Sequence, residues 1–335
     1  MSSLSVAAAG NRLPVTVLTG FLGSGKTTIL GALLQHPALA RTAVIINELG
    51  EVGLDHELVR HGGEGGTILL PSGCVCCTIR GDLADTLRDL FQKRVRGQGP
   101  DFDRVVVETT GLADPAPILH TLIADPITAA RYVADGVVTV VDAYNADWQL
   151  DTQREAVKQA AFADRILLTK TDLADPAATA RLIDRLRLIN AAAPIPVLNG
   201  VVDPALILGT GFGGKDARLE AWLAEEASHH HHDHRHDDGI RSFCLTFASP
   251  LDWDRVAGAL DLLSDLAGDR LLRVKGILDV AGSDRPVVVH GIQHLFHPPT
   301  QLDGWAGTDR TSRIVFITNG LERGPVEEIF RGLSG

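Results

Sequence analysis

A glycine-rich turn between a predicted strand and a predicted helix constrains this chain most. Residues 20–27 read GFLGSGKT, the pattern G-x-x-x-x-G-K-[ST], after the β-branched run VTVLT (15–19) and at the start of KTTILGALLQH (26–36). In that context backbone N–H groups can surround phosphate oxygens, and the helix N-terminus adds positive charge. Lys26 would reach the β and γ phosphates, and the Thr27 hydroxyl would bind Mg²⁺. The predicted nucleotide-binding residues of this P-loop are Gly20, Gly23, Ser24, Gly25, Lys26, Thr27 and Thr28.

Short apolar runs alternate with longer helical patterns over residues 15–198. The runs are continuous rather than alternating in polarity, as expected for strands covered on both faces. This rhythm is typical of β-α-β units that form a mostly parallel sheet. The later predicted strands are AVIIN (43–47), RVVVE (104–108), GVVTVVD (136–142), RILLT (165–169) and PIPVL (194–198), with helices near 80–95, 144–163 and 176–190.

The polar run SHHHHDHRHDDG interrupts this rhythm and marks the predicted domain boundary. Beyond it, SFCLTF (242–247), a helical pattern from Trp253, LLRVKGILDV (271–280) and RIVFIT (313–318) indicate a smaller domain. The predicted fold class is α/β, a P-loop NTPase domain with a mostly parallel sheet, plus a small C-terminal α+β domain. The predicted boundaries are 1–227 for the P-loop domain, 228–239 for a His-rich linker and 240–335 for the C-terminal domain.

Charge and cysteine content exclude several classes of function. The net charge of -11 argues against a nucleic-acid partner, because phosphate backbones are bound by basic surfaces. With four cysteines, three of them crowded together, the chain lacks the pattern of a disulfide framework, which favours a reducing compartment. No apolar run approaches the length needed to span a bilayer, so we expect no membrane association and a cytoplasmic location.

The stretch TKTD (169–172) follows a predicted strand and has the form of a guanine-reading N/T-K-x-D element. Asp172 would accept hydrogen bonds from N1–H and the exocyclic amine of guanine, with Lys170 beside it. Adenine lacks both donors, so a site built this way would reject ATP. A surface Lys-Thr-Asp without this role is the alternative, but the position after the P-loop and a later strand favours guanine.

A second acidic position follows another buried strand, in DRVVVETTGLADP (103–115). Glu108 ends that strand, where P-loop enzymes carry a carboxylate, and Gly111 lies where they place the glycine that senses the γ phosphate. Glu108 would contact Mg²⁺ through water or the attacking water itself, and the residues leave both roles open.

Three cysteines crowd the stretch GCVCC (73–77), expected as a tight loop. Thiolates favour Zn²⁺, Cu(I) or iron–sulfur clusters, and a tetrahedral zinc site would need a further ligand. The segment NELGEVGLD (47–55) offers Glu51 as the first choice, with Glu48 and Asp55 as alternatives. A structural zinc site, inert buried thiols and a nucleotide-dependent transfer site all stay open, and the last is favoured. The predicted thiol ligands are Cys74, Cys76 and Cys77.

Histidines form two further groups. An internal run contains His229, His230, His231, His232, His234 and His236. It would bind Zn²⁺, Ni²⁺ or Co²⁺ weakly, or it would serve only as a tether between domains. His290, His294 and His297 lie in VHGIQHLFHPP. On a single strand the first two share a face and the third does not, so we predict a structural role for them.

The elements GFLGSGKTT, NELGEVGLD, GCVCC, ETTGLADP, TKTD, the His-rich run and LLRVKGILDV together resemble the CobW-like P-loop GTPases, in the same order along nearly the whole chain. The resemblance implies kinship with nickel-chaperone GTPases of hydrogenase and urease maturation. It also implies GTP, Mg²⁺ and Zn²⁺ as cofactors, with Co²⁺ or Fe²⁺ as alternatives to zinc. One departure is Thr169 in place of the commoner Asn, which removes an amide that usually braces the P-loop.

The resemblance implies a slow GTPase metallochaperone that passes a metal to a client metalloprotein docked near the C-terminal domain, with a homo-oligomer left open. The P-loop Lys26 and Thr27, the switch residue Glu51 and the guanine reader Asp172 match the family's functional positions. A zinc buffer or sensor without metal transfer is the main alternative. A phosphotransferase acting on a small molecule is the second.

Overall fold

The structure, a computed structural model, describes residues 12–47, 67–69, 75–78, 82–99, 101–200, 202–210, 239–305 and 307–333. The described residues form two compact units. The first contains the chain up to Ile183 together with Ile195 to residue 210, and the second contains Asp184–Pro194 and the chain from residue 239 onward. The predicted domain boundary at residues 227 and 228 lies outside the described residues and stays a prediction.

Strands and helices alternate from Leu13 to Ile189, as the sequence predicts. In chain order they are β1 (Leu13–Thr19), α1 (Lys26–Leu34), β2 (Thr42–Asn47), β3 (Thr67–Leu69), β4 (Val75–Thr78), α2 (Leu83–Val95), β5 (Arg104–Thr109), α3 (Ala116–Ala124), α4 (Pro126–Arg131), β6 (Tyr132–Asp142), α5 (Ala146–Thr152), α6 (Arg154–Phe162), β7 (Arg165–Thr169) and α7 (Pro176–Ile189).

These strands form one sheet with the order β3-β4-β2-β5-β1-β6-β7. All neighbours pair in parallel except β3, which is antiparallel to β4. Because parallel strands share a direction, the carboxyl ends of β1, β5, β6 and β7 meet at one edge of the sheet. Those ends are Thr19, Thr109, Asp142 and Thr169. The α/β class and the mostly parallel sheet are therefore confirmed.

Continuous apolar runs form the interior strands because both faces of the sheet are covered. Val15, Val17 and Leu18 of β1 are fully buried, as are Val105, Val106 and Val107 of β5. Successive residues of a strand point to opposite faces of the sheet, so the burial of consecutive residues shows that both faces are covered.

The elements of the second unit are β8 (Ile240–Phe247), α8 (Trp253–Ala267), β9 (Leu271–Leu278), β10 (Val287–Ile292), β11 (Leu295–Phe296), β12 (Thr300–Gln301), β13 (Ser312–Asn319) and α9 (Arg323–Phe330). The strands form a smaller antiparallel sheet with the order β11-β10-β9-β13-β8, with β12 beside β10. Helices α8 and α9 pack on this sheet around a core that includes Leu260, Phe316 and Phe330. The predicted α+β class of this part is confirmed.

Three local expectations were wrong. The stretch Val75–Thr78 is a strand rather than a tight loop. Residues 194–198 make only an isolated parallel bridge, from Val197 to Leu168. The chain also turns back after β10, through a positive φ of 52° at Gln293, so that His297 rather than His294 lies beside His290, with ring centroids 5.2 Å apart.

Within the described residues, the helices are too short or too polar to cross a bilayer.

Candidate functional site

The P-loop forms a compact cradle between β1 and α1. Gly20, Gly23 and Gly25 have φ values of 141°, 75° and 99°, a region that strongly favours glycine. At Gly20 a side chain would also overlap with the carbonyl oxygen of Val140 on β6. The glycine spacing therefore serves both the turn and its close packing against the sheet.

Lys26 lies inside this cradle. It is 8% exposed, and its Nζ donates hydrogen bonds to the carbonyl oxygens of Gly20 (2.8 Å) and Phe21 (3.2 Å). The ammonium group is thus held at the start of the loop whose backbone would surround phosphates. Ser24 is buried too, and its Oγ has no hydrogen-bond partner among the described residues. Thr28 is exposed in the first turn of α1.

The next residue, Thr27, joins the cradle to β5. Its Oγ1 lies 2.6 Å from Oε1 of Glu108, a carboxylate that is 2% exposed at the end of that strand. β5 pairs with β1 in parallel, with Leu18 opposite Glu108, and this register fixes the carboxylate beneath the P-loop. A hydroxyl and a carboxylate oxygen at one point are the hard oxygen ligands that Mg²⁺ prefers, so the residues fit that ion.

The β5–α3 loop (residues 110–115) follows and contacts the P-loop. A Cβ at Gly111 would lie 2.6 Å from both N and Cδ2 of Leu22, so only glycine permits this approach. Gln159 of α6 donates from Nε2 to the carbonyl oxygens of Gly111 (3.2 Å) and Ala113 (3.0 Å). Sequence reasoning missed Gln159, because no local pattern links it to a loop 48 residues away.

Thr169 braces the P-loop through its hydroxyl, although it lacks the amide of the commoner Asn. Its Oγ1 lies 2.9 Å from the carbonyl oxygen of Ser24 and 3.1 Å from that of Val141. The hydroxyl can donate to the P-loop carbonyl, so a threonine supports the loop without the amide of an asparagine. The side chain is 7% exposed, which shields the bond from water.

Lys170 adds a second brace. It adopts a left-handed φ of 56°, and its Nζ donates to the carbonyl oxygen of Gly23 (2.7 Å) and to Oδ2 of Asp142 (2.8 Å). Asp172 is exposed in the turn that follows. The carboxylate predicted to read guanine is therefore accessible to solvent, two residues after a lysine that is bonded to the P-loop.

Asp142 ends β6 and is fully buried. Burial by itself would raise the pKa of this carboxyl. Hydrogen bonds from Lys170, Asn145 and the Tyr144 backbone N–H outweigh that effect and hold its pKa below the ordinary value. Sequence reasoning did not select Asp142, although an acidic residue directly after GVVTVV could have identified it.

Of the proposed zinc ligands, only two have a described backbone. Cys76 and Cys77 lie on β4, in register with Val44 and Ile45 of β2. Within the described residues, no three His, Cys, Asp or Glu side chains converge as a metal site. Lying outside the described residues are Cys74, Glu48, Glu51, Asp55 and the histidines His229 to His236.

A lysine folded into a glycine cradle, with a hydroxyl and a buried carboxylate behind it, is how P-loop nucleotide hydrolases hold a triphosphate and its metal. The chain is a protein of this class. A family model for the CobW/HypB/UreG nucleotide-binding domain matches residues 14–196, more than half of the chain. A model for the C-terminal domain of the cobalamin synthesis protein cobW matches residues 240–334. The chain belongs to the CobW/HypB/UreG family of P-loop GTPases, which confirms the resemblance.

Characterised relatives agree with this assignment. The chain is 37% identical to the zinc chaperone YjiA of Escherichia coli over 96% of this chain and 99% of that protein. It is 31% identical to the zinc chaperone CobW of a Sinorhizobium species over 91% and 92%. The crystal structure of Zn(II)-bound YjiA GTPase from E. coli superposes with a TM-score of 0.76 at 33% identity, covering 97% and 99% of the two chains.

Proposed function

We propose that this protein is a GTP-hydrolysing metallochaperone that takes up a metal ion at Cys74, Cys76 and Cys77 and delivers it to client metalloproteins. The supporting observation is the register of the large sheet. Thr78 of β4 lies in one row with Ile46 of β2 and Glu108 of β5. Two strand spacings separate the ends of that row, about 10 Å. The thiol-bearing strand thus ends close to the carboxylate of the nucleotide site.

Zinc is the metal we favour, with cobalt or iron as alternatives. Relatives that match nearly the whole chain are named zinc chaperones, and thiolates are soft ligands that suit Zn²⁺. Glu51 would supply a further ligand from the segment after β2. This segment follows β2, the strand that pairs with β4. We therefore expect nucleotide binding to change the affinity of the thiols for the metal.

For hydrolysis, each described residue has a proposed role. Lys26 would move from its carbonyl partners onto the β and γ phosphates, since a phosphate offers it stronger charged acceptors. Thr27 and Glu108 would hold Mg²⁺, which supplies charge neutralisation at the phosphates when bound. The bond between these two side chains favours a metal-side role for Glu108 over contact with the attacking water. Gly111 would meet the γ phosphate, and Asp172 would read guanine.

We expect slow intrinsic turnover. Among the described residues neither an arginine finger nor a water-positioning glutamine can be assigned, and such groups contribute about 10³ to 10⁵ in rate. A client docked near the C-terminal domain would then stimulate hydrolysis and receive the metal. The metal-collecting role of the His-rich run, a homo-oligomer and a cytoplasmic location stay predictions.

The test is a Zn²⁺ competition titration against a chromophoric chelator, with GDP and with a β,γ-imido analogue of GTP plus Mg²⁺. We expect zinc affinity to differ by tenfold or more between the two nucleotides, a coupling of about 1.4 kcal/mol. The difference should vanish in Cys76→Ala/Cys77→Ala and persist in Cys244→Ala, which removes the remaining thiol, on β8. Equal zinc affinity in both nucleotide states would contradict delivery and favour a zinc buffer or sensor.

A further inference from the structure

Gln159 connects helix α6 to the loop expected to meet the γ phosphate. The side chain is 1% exposed, and its Nε2 group uses its two hydrogens on the carbonyl oxygens of Gly111 and Ala113. Both carbonyls belong to the β5–α3 loop, so this loop cannot shift as a whole without losing these bonds. A buried amide that places both donors on one loop restrains the loop's position.

The helix end of this connection is fixed. The Gln159 carbonyl oxygen accepts a hydrogen bond of 2.7 Å from the Thr139 hydroxyl on β6. The following residues, Ala160, Ala161 and Phe162, are fully buried. Because α6 is anchored to the sheet in this way, a change in the contact would move the loop rather than the helix.

The loop end lies against the P-loop. Gly111 contacts Leu22 so closely that a methyl group would not fit. Lys158, the neighbour of Gln159, makes a second link, from Nζ to Oδ2 of Asp114 at 2.9 Å. Asp114 in turn accepts from the Ala116 N–H at the start of α3. The β5–α3 loop is therefore held between the P-loop on one side and α6 on the other.

One polar atom in this arrangement has no partner. Oε1 of Gln159 is buried and accepts no hydrogen bond among the described residues. A buried acceptor without a donor is unfavourable, so the stabilising contacts of this amide are the two bonds that Nε2 makes to the loop.

We propose that Gln159 is a positioning residue that holds the β5–α3 loop against the P-loop and so makes the site bind a nucleoside triphosphate more tightly than a diphosphate. The inference rests on the proposed function, since it assumes that the site binds guanine nucleotides. The γ phosphate, which a diphosphate lacks, is expected to meet Gly111, so a loop held in place would favour GTP and leave GDP binding unaffected. Lys158 supports the same loop from the surface.

The test compares the wild-type protein with Gln159→Met, which keeps the length of the side chain and removes both donors. The affinities for GDP and for the β,γ-imido analogue of GTP, each with Mg²⁺, are measured by isothermal titration calorimetry. We expect the preference for the triphosphate to fall threefold or more, through the triphosphate affinity alone. Gln159→Glu should lower it further, because a carboxylate would face two carbonyl oxygens.

Gln153→Met is the matched control. Gln153 precedes α6 and donates to the Thr152 hydroxyl rather than to the β5–α3 loop, so the preference should not change. If Gln159→Met does not fold, Lys158→Met at the surface should lower the preference in the same direction. A change of less than threefold, a rise, or an equal loss for both nucleotides overturns the inference alone. Wild-type protein that binds neither nucleotide would overturn the proposed function and this inference with it.

Discussion

The hydroxyl of Thr27 donates a 2.6 Å hydrogen bond to Oε1 of Glu108, and this bond joins the first turn of α1 to the end of β5. Glu108 is 2% exposed and Thr27 is half-buried, so the bond between them is partly shielded from solvent. A carboxylate that bonds a metal-binding hydroxyl both orients that ligand and increases the negative charge around the ion.

Glu108→Gln should therefore raise the Mg²⁺ concentration that GTP hydrolysis requires. The amide keeps the size of the side chain but loses its charge, and loss of such a partner reduces metal affinity or activity about 10- to 100-fold. The measurement is the rate of phosphate release as a function of Mg²⁺ concentration. Glu155→Gln, in the first turn of α6, makes the same chemical change away from the cradle and should leave the curve in place. An unchanged Mg²⁺ dependence in Glu108→Gln would assign the carboxylate a purely structural role.

Thr169→Val should loosen the P-loop, because valine keeps the shape of threonine and removes the hydroxyl that reaches Ser24. The buried carbonyl left without its donor should lower the free energy of unfolding by about 1 to 3 kcal/mol. GDP and the GTP analogue should lose affinity together, since the phosphate cradle serves both. Urea denaturation and nucleotide titration would measure the two effects.

Two companion variants sharpen this prediction. Thr169→Asn restores the commoner motif residue and should stay close to wild type, because an amide can also donate to the P-loop. Thr171→Val lies two residues on in the same turn and should change neither quantity. If Thr169→Val binds nucleotides as tightly as wild type, the bond to Ser24 does not support the cradle.

Motifs and continuous apolar runs made much of the fold predictable. The motif GFLGSGKT predicted the turn after β1, and apolar runs such as RVVVE and RILLT predicted strands of the same sheet. A strand buried on both faces is a continuous apolar run, which is easy to recognise in a sequence. The strand β4 was missed because it is only Val75–Thr78 and contains two cysteines, which sequence reasoning assigned to metal chemistry. The turn after β10 was missed because Gln293 adopts a positive φ that glycine or asparagine usually marks.

The site was predictable where spacing decides the geometry and not where tertiary contacts do. Lys26 and Thr27 follow from the P-loop pattern itself. The bond from the Thr169 hydroxyl to Ser24 was not predicted because it spans 145 residues and has no sequence signature. Gln159 was missed for the same reason, as its partners are backbone carbonyls that any residue would provide.

Gly111→Ala should disturb the contact between the β5–α3 loop and the P-loop. Its new Cβ would lie 2.6 Å from the backbone nitrogen of Leu22, and relieving such overlap typically costs about 1 to 3 kcal/mol. We expect the affinity for the GTP analogue to fall more than that for GDP, measured by titration with each nucleotide. Gly31→Ala is the matched control: it lies within α1 with open space around it, so it should raise the free energy of unfolding by up to about 1 kcal/mol. Equal losses for both nucleotides in Gly111→Ala would contradict a γ-phosphate role for this loop.

The ion pair between Lys170 and Asp142 should make stability depend on pH in the acid range. Burial alone would raise the pKa of Asp142, but the hydrogen bonds from Lys170, Asn145 and Tyr144 lower it overall. A carboxyl with a lowered pKa in the folded state contributes stability above its unfolded pKa of about 3.9. That contribution is lost as the pH falls through the lowered value.

Lys170→Met removes the cation and leaves the fully buried Asp142 carboxylate with neutral donors. At pH 7 the free energy of unfolding should fall by about 1 to 3 kcal/mol, because a hydrogen bond to a charged group is lost. The gap between variant and wild type should narrow as the pH falls from about 5 through the ordinary and then the lowered pKa of Asp142, since the carboxyl becomes protonated. Urea denaturation across that range measures the gap.

Lys158→Met is the control: it removes the cation from the more exposed pair with Asp114 and should lower the free energy of unfolding by less than about 1 kcal/mol at pH 7. A gap for Lys170→Met that stays constant down to the acid limit would show that charge on Asp142 is not what the lysine stabilises.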